Sequence, residues 1–384
     1  MEKYTTYVGL DVHARSIAIR ALNVETGEKA GTVLSDCPSA ADVMEWLRER
    51  LDGPYYLAYE SGCTGFHLCR ELRALGADCD VIAVTTLARS VKDQQNKNDR
   101  VDARAILREI VSPMPEYSVV WVPDEETEAA RMLARAYDAA VVDLKRKKQR
   151  LIAFLLVMGY TWNERTATGN LRQRWTGPFR DWLDSISFGD PAAQAAYDLH
   201  RRAVDDAGEL VDRASGLIRT EAAKPRWKPY VDALCRMKGV DVLSAFLVAA
   251  EIGDFERFES GRKVSSWLGT TPAESSSGER ESHGRITKAG NSYVRRTLVE
   301  GNAGMSRRRT SRKKPDPGAS VPEGVESMAR KANARLKRRF EHLTGEGLHP
   351  NKARVAVASE QVRWMWAIGR AVQRGLAAEG AAAV

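Results

Sequence analysis

The sequence predicts an α/β domain followed by an all-α region. Residues 4–35 alternate apolar and polar side chains in three short runs, as half-buried strands do. Helical and strand patterns then alternate up to residue 84, and the patterns from about residue 125 onward are helical. A meander followed by alternating helices and strands predicts a mixed sheet in which the later strands run parallel to the first.

Each element of the first domain follows from its local pattern. The predicted elements are strands at 4–12, 16–23 and about 30–35, a helix at 40–51, a strand at 55–61, a helix near 66–75, a strand at 78–84, and a helix that carries residues 96–107. This order is typical of an RNase H-like domain, in which the first and fourth strands are neighbours. The carboxyl ends of these two strands therefore meet at one end of the sheet.

Two long helices are predicted next. The stretch from 125 to 160 carries a stripe near heptad spacing, and a second such stretch runs from 192 to 223. The stripe residues are Leu133, Tyr137, Ala140, Leu144 and Leu151 in the first stretch, and Leu210, Ala214 and Leu217 in the second. The two helices could pair as an antiparallel hairpin or mediate dimerisation. Between them, residues 162–188 are rich in Trp and Arg and predict a loop followed by a helix.

Three domains are predicted, with bounds at 1–120, 121–227 and 228–384. In the third, Gly239 is predicted to form a turn between two apolar helices, as in a helix-hairpin-helix unit that offers backbone N–H groups to a DNA phosphate. The second glycine usual in that motif is Asp241 here, so a structural αα-turn is an equally good interpretation. Residues 313–324 predict a mobile linker.

The charge of the chain favours a nucleic-acid partner. Its 59 lysines and arginines exceed its 51 acidic residues, and basic residues cluster at 145–150, 307–314 and 330–339. One such cluster alone could be a solvated helix face. The candidate contacts are Lys145, Lys147, Lys148, Arg307, Arg308 and Arg309, together with Arg280, Arg285, Lys288, Arg295 and Arg296.

No apolar run is long enough to span a membrane, and the first residues lack a secretion pattern, which predicts a cytoplasmic protein. It would be associated with the nucleoid when acting. The five cysteines form no CxxC pair, so neither a disulfide framework nor a zinc site is expected.

Four acidic residues are predicted to converge. Asp11 lies in the first strand and Glu60 at the end of the fourth, whereas Asp99 and Asp102 share one helical face. Carboxylate oxygens suit Mg²⁺ or Mn²⁺, and two such ions can bind the attacking and leaving oxygens of a phosphodiester. Each aspartate alone could be a helix cap or a salt-bridge partner, as Asp102 could be for Arg104. Asp93 is an alternative ligand.

The stretch from 267 to 298 is the second candidate site. Ser275, Ser276, Ser277 and Gly278 predict a flexible segment, and the five basic residues between 280 and 296 follow it closely. These residues could form a phosphate-binding loop. Alternatively, a serine Oγ could attack a DNA phosphate, and the resulting phosphoserine ester would keep the energy of the broken bond for rejoining.

These motifs together resemble the insertion sequence 110 (DEDD) transposase family. The resemblance rests on GLDVH, YESGCTG, KNDRVDA, AAEIGD and LGTTPAESSSG…GRITKAGN, which occur in the family's order. It implies an RuvC-like domain with a DEDD metal site, a helical coiled-coil connector and a C-terminal transposase domain. Asp11, Glu60, Asp99 and Asp102 match the metal-binding acids. Ser277 matches the nucleophile, although counting back from the KAGN glycine selects Ser276.

The resemblance also implies partners. Family members recombine donor and target DNA without a simple hydrolytic cut, and they pair both DNAs with a structured noncoding guide RNA. They assemble as dimers and then tetramers, whose active sites combine domains of different subunits. Two other interpretations stay open, namely an RuvC-like hydrolytic Holliday-junction nuclease that needs no serine, and a catalytically inactive RNA-binding relative.

Overall fold

The structure, a computed structural model, describes residues 3–62, 64–83, 99–277, 280–305, 319, 321, 322 and 324–382. The chain divides into two compact units, Met1–Asp124 and Glu125–Val384, and each unit has its own hydrophobic cores. The described helices of the predicted second and third domains belong to the second unit. The three-domain division with bounds at 120 and 227 stays a prediction.

The first unit contains a mixed six-stranded sheet. Its strands are β1 (Thr6–Val12), β2 (Ile17–Asn23), β3 (Lys29–Leu34), β4 (Tyr55–Glu60), β5 (Asp78–Ile82) and β6 (Val119–Val120), in the spatial order β3-β2-β1-β4-β5-β6. β1, β2 and β3 pair antiparallel, whereas β4 runs parallel to β1 and β5 runs parallel to β4. This is the arrangement expected of an RNase H-like domain. The antiparallel edge strand β6 was not predicted, because two residues are too few to show a periodic pattern.

Helices cover both faces of this sheet. They are α1 (Ala40–Arg48), α2 (His67–Ala74) and α3 (Asp99–Ile110). The buried side chains of α1 and α2 share a core with Val8, Leu10 and Leu57 on one face. Ile106 and Ile110 of α3 form a separate core with Ala58 and Ile82 on the other face. Successive residues of a strand point to opposite faces, so β1 separates these two cores.

Gly9 allows α3 to lie directly on β1. A Cβ atom at this position would stand 2.3 Å from the carbonyl oxygen of Ala103 and 2.6 Å from the backbone nitrogen of Leu107. Both atoms belong to the helix backbone, so no side-chain movement could relieve the contact. Only glycine permits this distance between strand and helix.

The second unit is mainly helical. Its helices are α4 (Glu125–Val157), α5 (Gly177–Asp184), α6 (Pro191–Ala222), α7 (Lys228–Leu234), α8 (Val242–Ile252), α9 (Gly261–Trp267), α10 (Ser292–Gly301), α11 (Val325–Gly345) and α12 (Pro350–Ala382). Its two strands, β7 (Pro272–Ser277) and β8 (Arg280–Ile286), pair antiparallel. No helix in the described part of the chain is long and apolar enough to cross a membrane.

The two long helices α4 and α6 form an antiparallel hairpin. Ala130 and Ala134, early in α4, share a core with Ile218 and Ala222 at the end of α6. Leu151 and Leu155, late in α4, share another core with Tyr197 and Val204 near the start of α6. The antiparallel hairpin, one of the two interpretations that the sequence left open, is the arrangement that the structure shows.

Two residues of the predicted stripe in α6 do not contribute to the hairpin core. Leu210 and Leu217 are 55% and 54% exposed, because Tyr197, Val204, Ile218 and Ala222 form the buried side of the helix.

We expect Gly9→Ala to lower the free energy of unfolding by about 2 kcal/mol or more, because the added methyl group forces α3 away from β1. Urea unfolding of the full chain, followed by circular dichroism, measures the change. Gly62→Ala is the matched control, since a Cβ atom there meets only the Glu60 carbonyl oxygen at 3.8 Å. Equal stability of the two variants would contradict the prediction.

Candidate functional site

Asp11 and Glu60 lie side by side at the carboxyl ends of β1 and β4. The last parallel pairs between these strands are Gly9 with Ala58 and Leu10 with Tyr59, and Asp11 and Glu60 are next in register. Both acids share a sheet face with Gly9 and Ala58, since each lies two residues further along its strand. Neighbouring strands are about 4.8 Å apart, so the two carboxylates can share one cation.

Helix α3 carries the other two acids to the same end of the sheet. Ala103 and Leu107 of this helix lie over Gly9. Val111, one turn later, packs in the cluster that contains Tyr7 and Tyr56, which are at the beginnings of β1 and β4. The helix therefore runs opposite to β1, and its N-terminus lies towards Asp11. Asp102, which is partly exposed, belongs to this first turn, and Asp99 is the first residue of the helix. The side chain of Asp99 lies outside the described residues.

His13 contacts Asp11 and was not predicted as a site residue. Its Nε2 lies 3.1 Å from Oδ2 of Asp11, whose side chain is 17% exposed. The contact can orient the Asp11 carboxylate. The available signal in the sequence was the nearness of the two residues, since His13 follows Asp11 by two positions, immediately after the end of β1.

The chemistry of this site fits a hard divalent cation. Its acids supply carboxylate oxygens, which Mg²⁺ and Mn²⁺ prefer to nitrogen or sulfur ligands. Among the described residues, no group of three or more His, Cys, Asp or Glu side chains is close enough to hold a metal ion. Asp93, the alternative ligand, lies outside the described residues, as does the side chain of Asp99. Acids in the first turn of α3 also interact favourably with the helix dipole.

The serine stretch belongs to a strand. Residues 275–277 are part of β7 and pair with β8, with Ser275 opposite Ser282, Ser276 opposite Glu281 and Ser277 opposite Arg280. This pairing, which the sequence did not predict, satisfies backbone groups that a free loop would expose to water. The flexibility of the segment stays a prediction. Gly278 lies outside the described residues.

The two candidate nucleophiles differ in position. Ser277 is the last residue of β7, beside the two-residue connection to β8, whereas Ser276 precedes it. The side chains of both serines lie outside the described residues.

Strands β7 and β8 together form the serine ribbon (residues 272–286), and two glycines on either side of it hold its two ends close together. A Cβ atom at Gly290 would stand 2.2 Å from the Trp267 carbonyl oxygen, and one at Gly269 would stand 2.7 Å from Nη1 of Arg295. The Lys288 N–H donates to the Gly269 carbonyl at 3.1 Å. Gly290 belongs to the KAGN motif, so this motif has a structural role that sequence reasoning missed. The glycine itself was the available signal.

Glu251 connects the ribbon to the helical core. Its carboxylate is 2% exposed and accepts hydrogen bonds from Nε and Nη2 of Arg135 at 2.7 and 3.0 Å. It also accepts a bond from Nδ2 of Asn291 at 2.7 Å, while Oδ1 of Asn291 caps α10 by accepting from the Val294 N–H. The hydrogen bonds with Glu251 raise the pKa of Arg135. Three segments, α4, α8 and the start of α10, thus meet at one buried ion pair.

The predicted basic contacts fall into two groups. Arg285, Lys288 and Lys145 are exposed, and Lys147 and Lys148 are partly exposed. Arg295 and Arg296 instead make internal contacts, since Nη1 of Arg295 donates to the Leu268 carbonyl at 2.8 Å and Arg296 forms an ion pair with Asp138. The Arg280 side chain and residues Arg307, Arg308 and Arg309 lie outside the described residues.

The turn before α8 has the features of a structural αα-turn. Gly239 adopts a φ of +83°, and Asp241 caps α8 by accepting a bond from the Ser244 N–H at 2.9 Å. This carboxylate occupies the helix N-terminus, where a phosphate would have to bind. The feature favours the structural interpretation over the helix-hairpin-helix contact.

Comparison with known proteins gives two family matches and several relatives that match over most of this chain. A family described as transposase IS116/IS110/IS902 matches residues 231–315, and an IS110-type DEDD transposase model matches residues 8–159. A putative transposase of Sinorhizobium fredii, y4qE, is 35% identical over 324 residues, which cover 82% of this chain and 75% of the relative.

Two further relatives are more distant but match over most of their length. The transposase for insertion sequence element IS1533 of Leptospira borgpetersenii is 25% identical, covering 89% of this chain and 97% of the relative. A probable family 20 transposase of Pseudomonas aeruginosa is 26% identical, covering 85% and 87%. The similarity therefore extends over both units of the chain.

We expect Asp11→Asn to weaken Mn²⁺ binding by about tenfold or more. Loss of a metal ligand should lower the metal affinity at least as much as loss of a residue that only orients a ligand, which lowers it by about 10–100-fold. Isothermal titration of the full chain with Mn²⁺ measures the affinity. Glu45→Gln is the control, since Glu45 is an exposed carboxylate on α1, on the other face of the sheet. Equal affinity of Asp11→Asn and wild-type protein would contradict the metal site.

Glu251→Ala should lower the free energy of unfolding by about 3–5 kcal/mol, because it leaves the half-buried Arg135 guanidinium without its partner. Guanidinium chloride unfolding measures the loss. Glu259→Ala provides the comparison, because Glu259 is exposed in the loop before α9. If both variants unfold at the same denaturant concentration, the ion pair does not hold the ribbon to the core.

Proposed function

The chain belongs to the IS110 family of transposases, enzymes that cut and rejoin DNA, and we propose that it does so through a phosphoserine intermediate at a Mg²⁺ site held by carboxylates. One observation carries the proposal: Asp11 and Glu60 are next to each other in register at the ends of β1 and β4, and the N-terminal end of α3 lies towards them. Asp99 and Asp102 complete the proposed ligand set. Mn²⁺ would fit the same oxygen ligands.

Each group of residues has a distinct task in this mechanism. Asp11, Glu60, Asp99 and Asp102 hold the cation, and His13 orients Asp11. When bound, a divalent cation stabilises the charge that develops on the attacking and leaving oxygens of a phosphodiester. The exposed Arg285 and Lys288, close to the serine ribbon in sequence, can bind neighbouring phosphates.

The serine performs the exchange itself. Its Oγ attacks phosphorus, an Oγ–P ester forms, the bond from phosphorus to a sugar oxygen breaks, and the serine proton ends on that oxygen. In the second step a sugar hydroxyl of another strand attacks the phosphoserine and restores the serine hydroxyl. Ser277 is the proposed nucleophile and Ser276 the alternative. Water takes no part, so the number of phosphodiester bonds is conserved.

The proposed partners follow from charge and family. Donor and target DNA are the substrates, and a structured noncoding guide RNA selects both sequences by pairing, which leaves the protein to bind backbone phosphates. The basic segments 145–150 and 330–339 support such binding. We also propose that the protein acts as dimers that assemble into a tetramer, in the cytoplasm and on the nucleoid.

A covalent adduct tests the serine. We expect wild-type protein, incubated with the element's junction DNA, its noncoding RNA and Mg²⁺ and then denatured, to retain labelled DNA. Ser277→Ala should abolish the adduct because no hydroxyl remains to form the ester, whereas Ser276→Ala should retain it. Asp11→Asn should lose both adduct and strand cleavage.

The other outcomes are equally informative. An adduct that survives Ser277→Ala but not Ser276→Ala moves the nucleophile by one residue. Full cleavage without any adduct in the double serine variant would identify a hydrolytic nuclease instead. Unchanged biological activity of Asp11→Asn would identify a nucleic-acid-binding protein without metal-dependent catalysis.

A further inference from the structure

The tip of the helical hairpin, residues 141–188, is a folded region that the proposed chemistry does not use. Its core contains Leu151 and Leu155 of α4 together with Trp162, Phe179 and Leu183 of the Trp- and Arg-rich excursion, all at most 6% exposed. The excursion is therefore held on α4 as a rigid cap. The sequence predicted nucleic-acid contacts at Lys145, Lys147 and Lys148 in this region but assigned no role to the Trp- and Arg-rich excursion.

A groove of about 610 Å³ lies on this tip. Leu144, Ile152 and neighbouring apolar side chains of α4 line one part of it, and Lys145, Lys148, Arg174 and Trp175 line the rest. Its volume is within the range of about 300–1,000 Å³ that is usual for ligand sites. An aromatic ring and several cations thus border an apolar surface.

Trp175 is held in a backbone conformation that bulky residues rarely adopt. Its φ is +67°, its ring centroid lies 5.1 Å from that of Phe179, and Nζ of Lys148 lies 4.8 Å from the ring centroid. A non-glycine residue with positive φ is strained and persists only where the surrounding structure holds it. The packing of the tip therefore fixes an indole ring, still partly exposed, at the wall of the groove.

The tip carries more positive charge than it can neutralise. Residues 141–188 contain nine lysines and arginines and four acids, which are Asp143, Glu164, Asp181 and Asp184. Asp143, Glu164 and Asp184 already pair with Arg146, Arg172 and Arg201. Throughout the described ranges, no salt bridge reaches the other seven cations, which are Lys145, Lys147, Lys148, Arg150, Arg165, Arg174 and Arg180. Burial and the charge of Arg180 lower the pKa of Lys148, as expected where cations crowd together.

We propose that this groove binds an unpaired nucleotide of a nucleic-acid strand, with its base against Trp175 and its phosphates on Lys145, Lys148 and Arg174. Every base has a flat π-face that can stack on an aromatic side chain, and phosphates neutralise the surrounding cations. A base-paired duplex fits less well, because its base faces are already stacked inside the helix. An acidic peptide would satisfy the cations but would leave the apolar wall and the indole without a matching surface.

The binding does not rest on the proposed serine chemistry and can be measured without metal or strand cleavage. The probes are fluorescent single strands of uridine and of deoxythymidine, and a blunt DNA duplex of the same length. Fluorescence anisotropy with the full chain gives the affinity for each probe. A failed adduct experiment would leave this result unaffected.

We expect Trp175→Ala to weaken single-strand binding by about tenfold or more and to change duplex binding little. Trp175→Phe should restore most of the affinity, because it keeps a stacking ring. Trp46→Ala is the control, since Trp46 also has a cation near its ring, Arg50 at 5.0 Å, but lies in the first unit. Lys148→Met keeps the apolar stem of the side chain but removes its charge. It should lower the slope of log affinity against log salt concentration by the amount expected for about one phosphate contact.

Several results would overturn the proposal. Unchanged single-strand affinity in Trp175→Ala would do so, as would an equal loss for single strands and duplex, which would indicate general charge attraction. Thermal unfolding of Trp175→Ala and Trp175→Phe shows whether a loss of single-strand affinity comes from a disrupted tip. Only the alanine variant removes the aromatic ring, so a loss of affinity without a loss of thermal stability is due to the ring itself. Tighter binding of the uridine strand assigns the groove to RNA, whereas tighter binding of the deoxythymidine strand assigns it to displaced DNA.

Discussion

The close packing of the α3 backbone on β1 at Gly9 determines where the predicted acidic ligands on the strand and on the helix lie relative to each other. The carbonyl oxygen of Ala103 occupies the space of a side chain at position 9, so the helix cannot move or rotate without a clash. Asp11 follows two residues later on the same strand, and Asp102 immediately precedes Ala103. Because glycine has no side chain, Gly9 lets the helix approach the strand closely and so limits the distance between Asp11 on the strand and Asp102 on the helix.

The serine ribbon depends on a comparable constraint in the second unit. The close approach of Gly290 to the Trp267 carbonyl joins the two ends of the ribbon, and the Glu251 carboxylate attaches the following helix to α4 and α8. Removing either partner of a buried ion pair costs more than the pair contributes to stability. Such a pair thus specifies one arrangement of three segments, which holds the strand that carries the proposed nucleophile more firmly than a free loop would.

Opposite charges are segregated along this chain. Asp11 and Glu60 lie in register at one end of the sheet, and like charges placed side by side repel each other unless a cation lies between them. Lysines and arginines gather on the hairpin tip, where the four acids of the tip neutralise only part of the charge. Like charges that lie close together attract partners of opposite charge, and DNA, RNA and divalent cations are partners of this kind.

Periodic patterns and motifs are local properties, so the sequence alone was enough for most elements of the first unit, the parallel direction of β4, the two long helices and the family. Strand order also indicated Asp11 and Glu60. The register of these two acids, the exposure of Leu210 and Leu217 and the cationic groove beside Trp175 became known from the fold, because each depends on packing between separate elements that no local pattern encodes. The short ribbon of β7 and β8 was missed for another reason, since its serine- and glycine-rich sequence shows no strand periodicity.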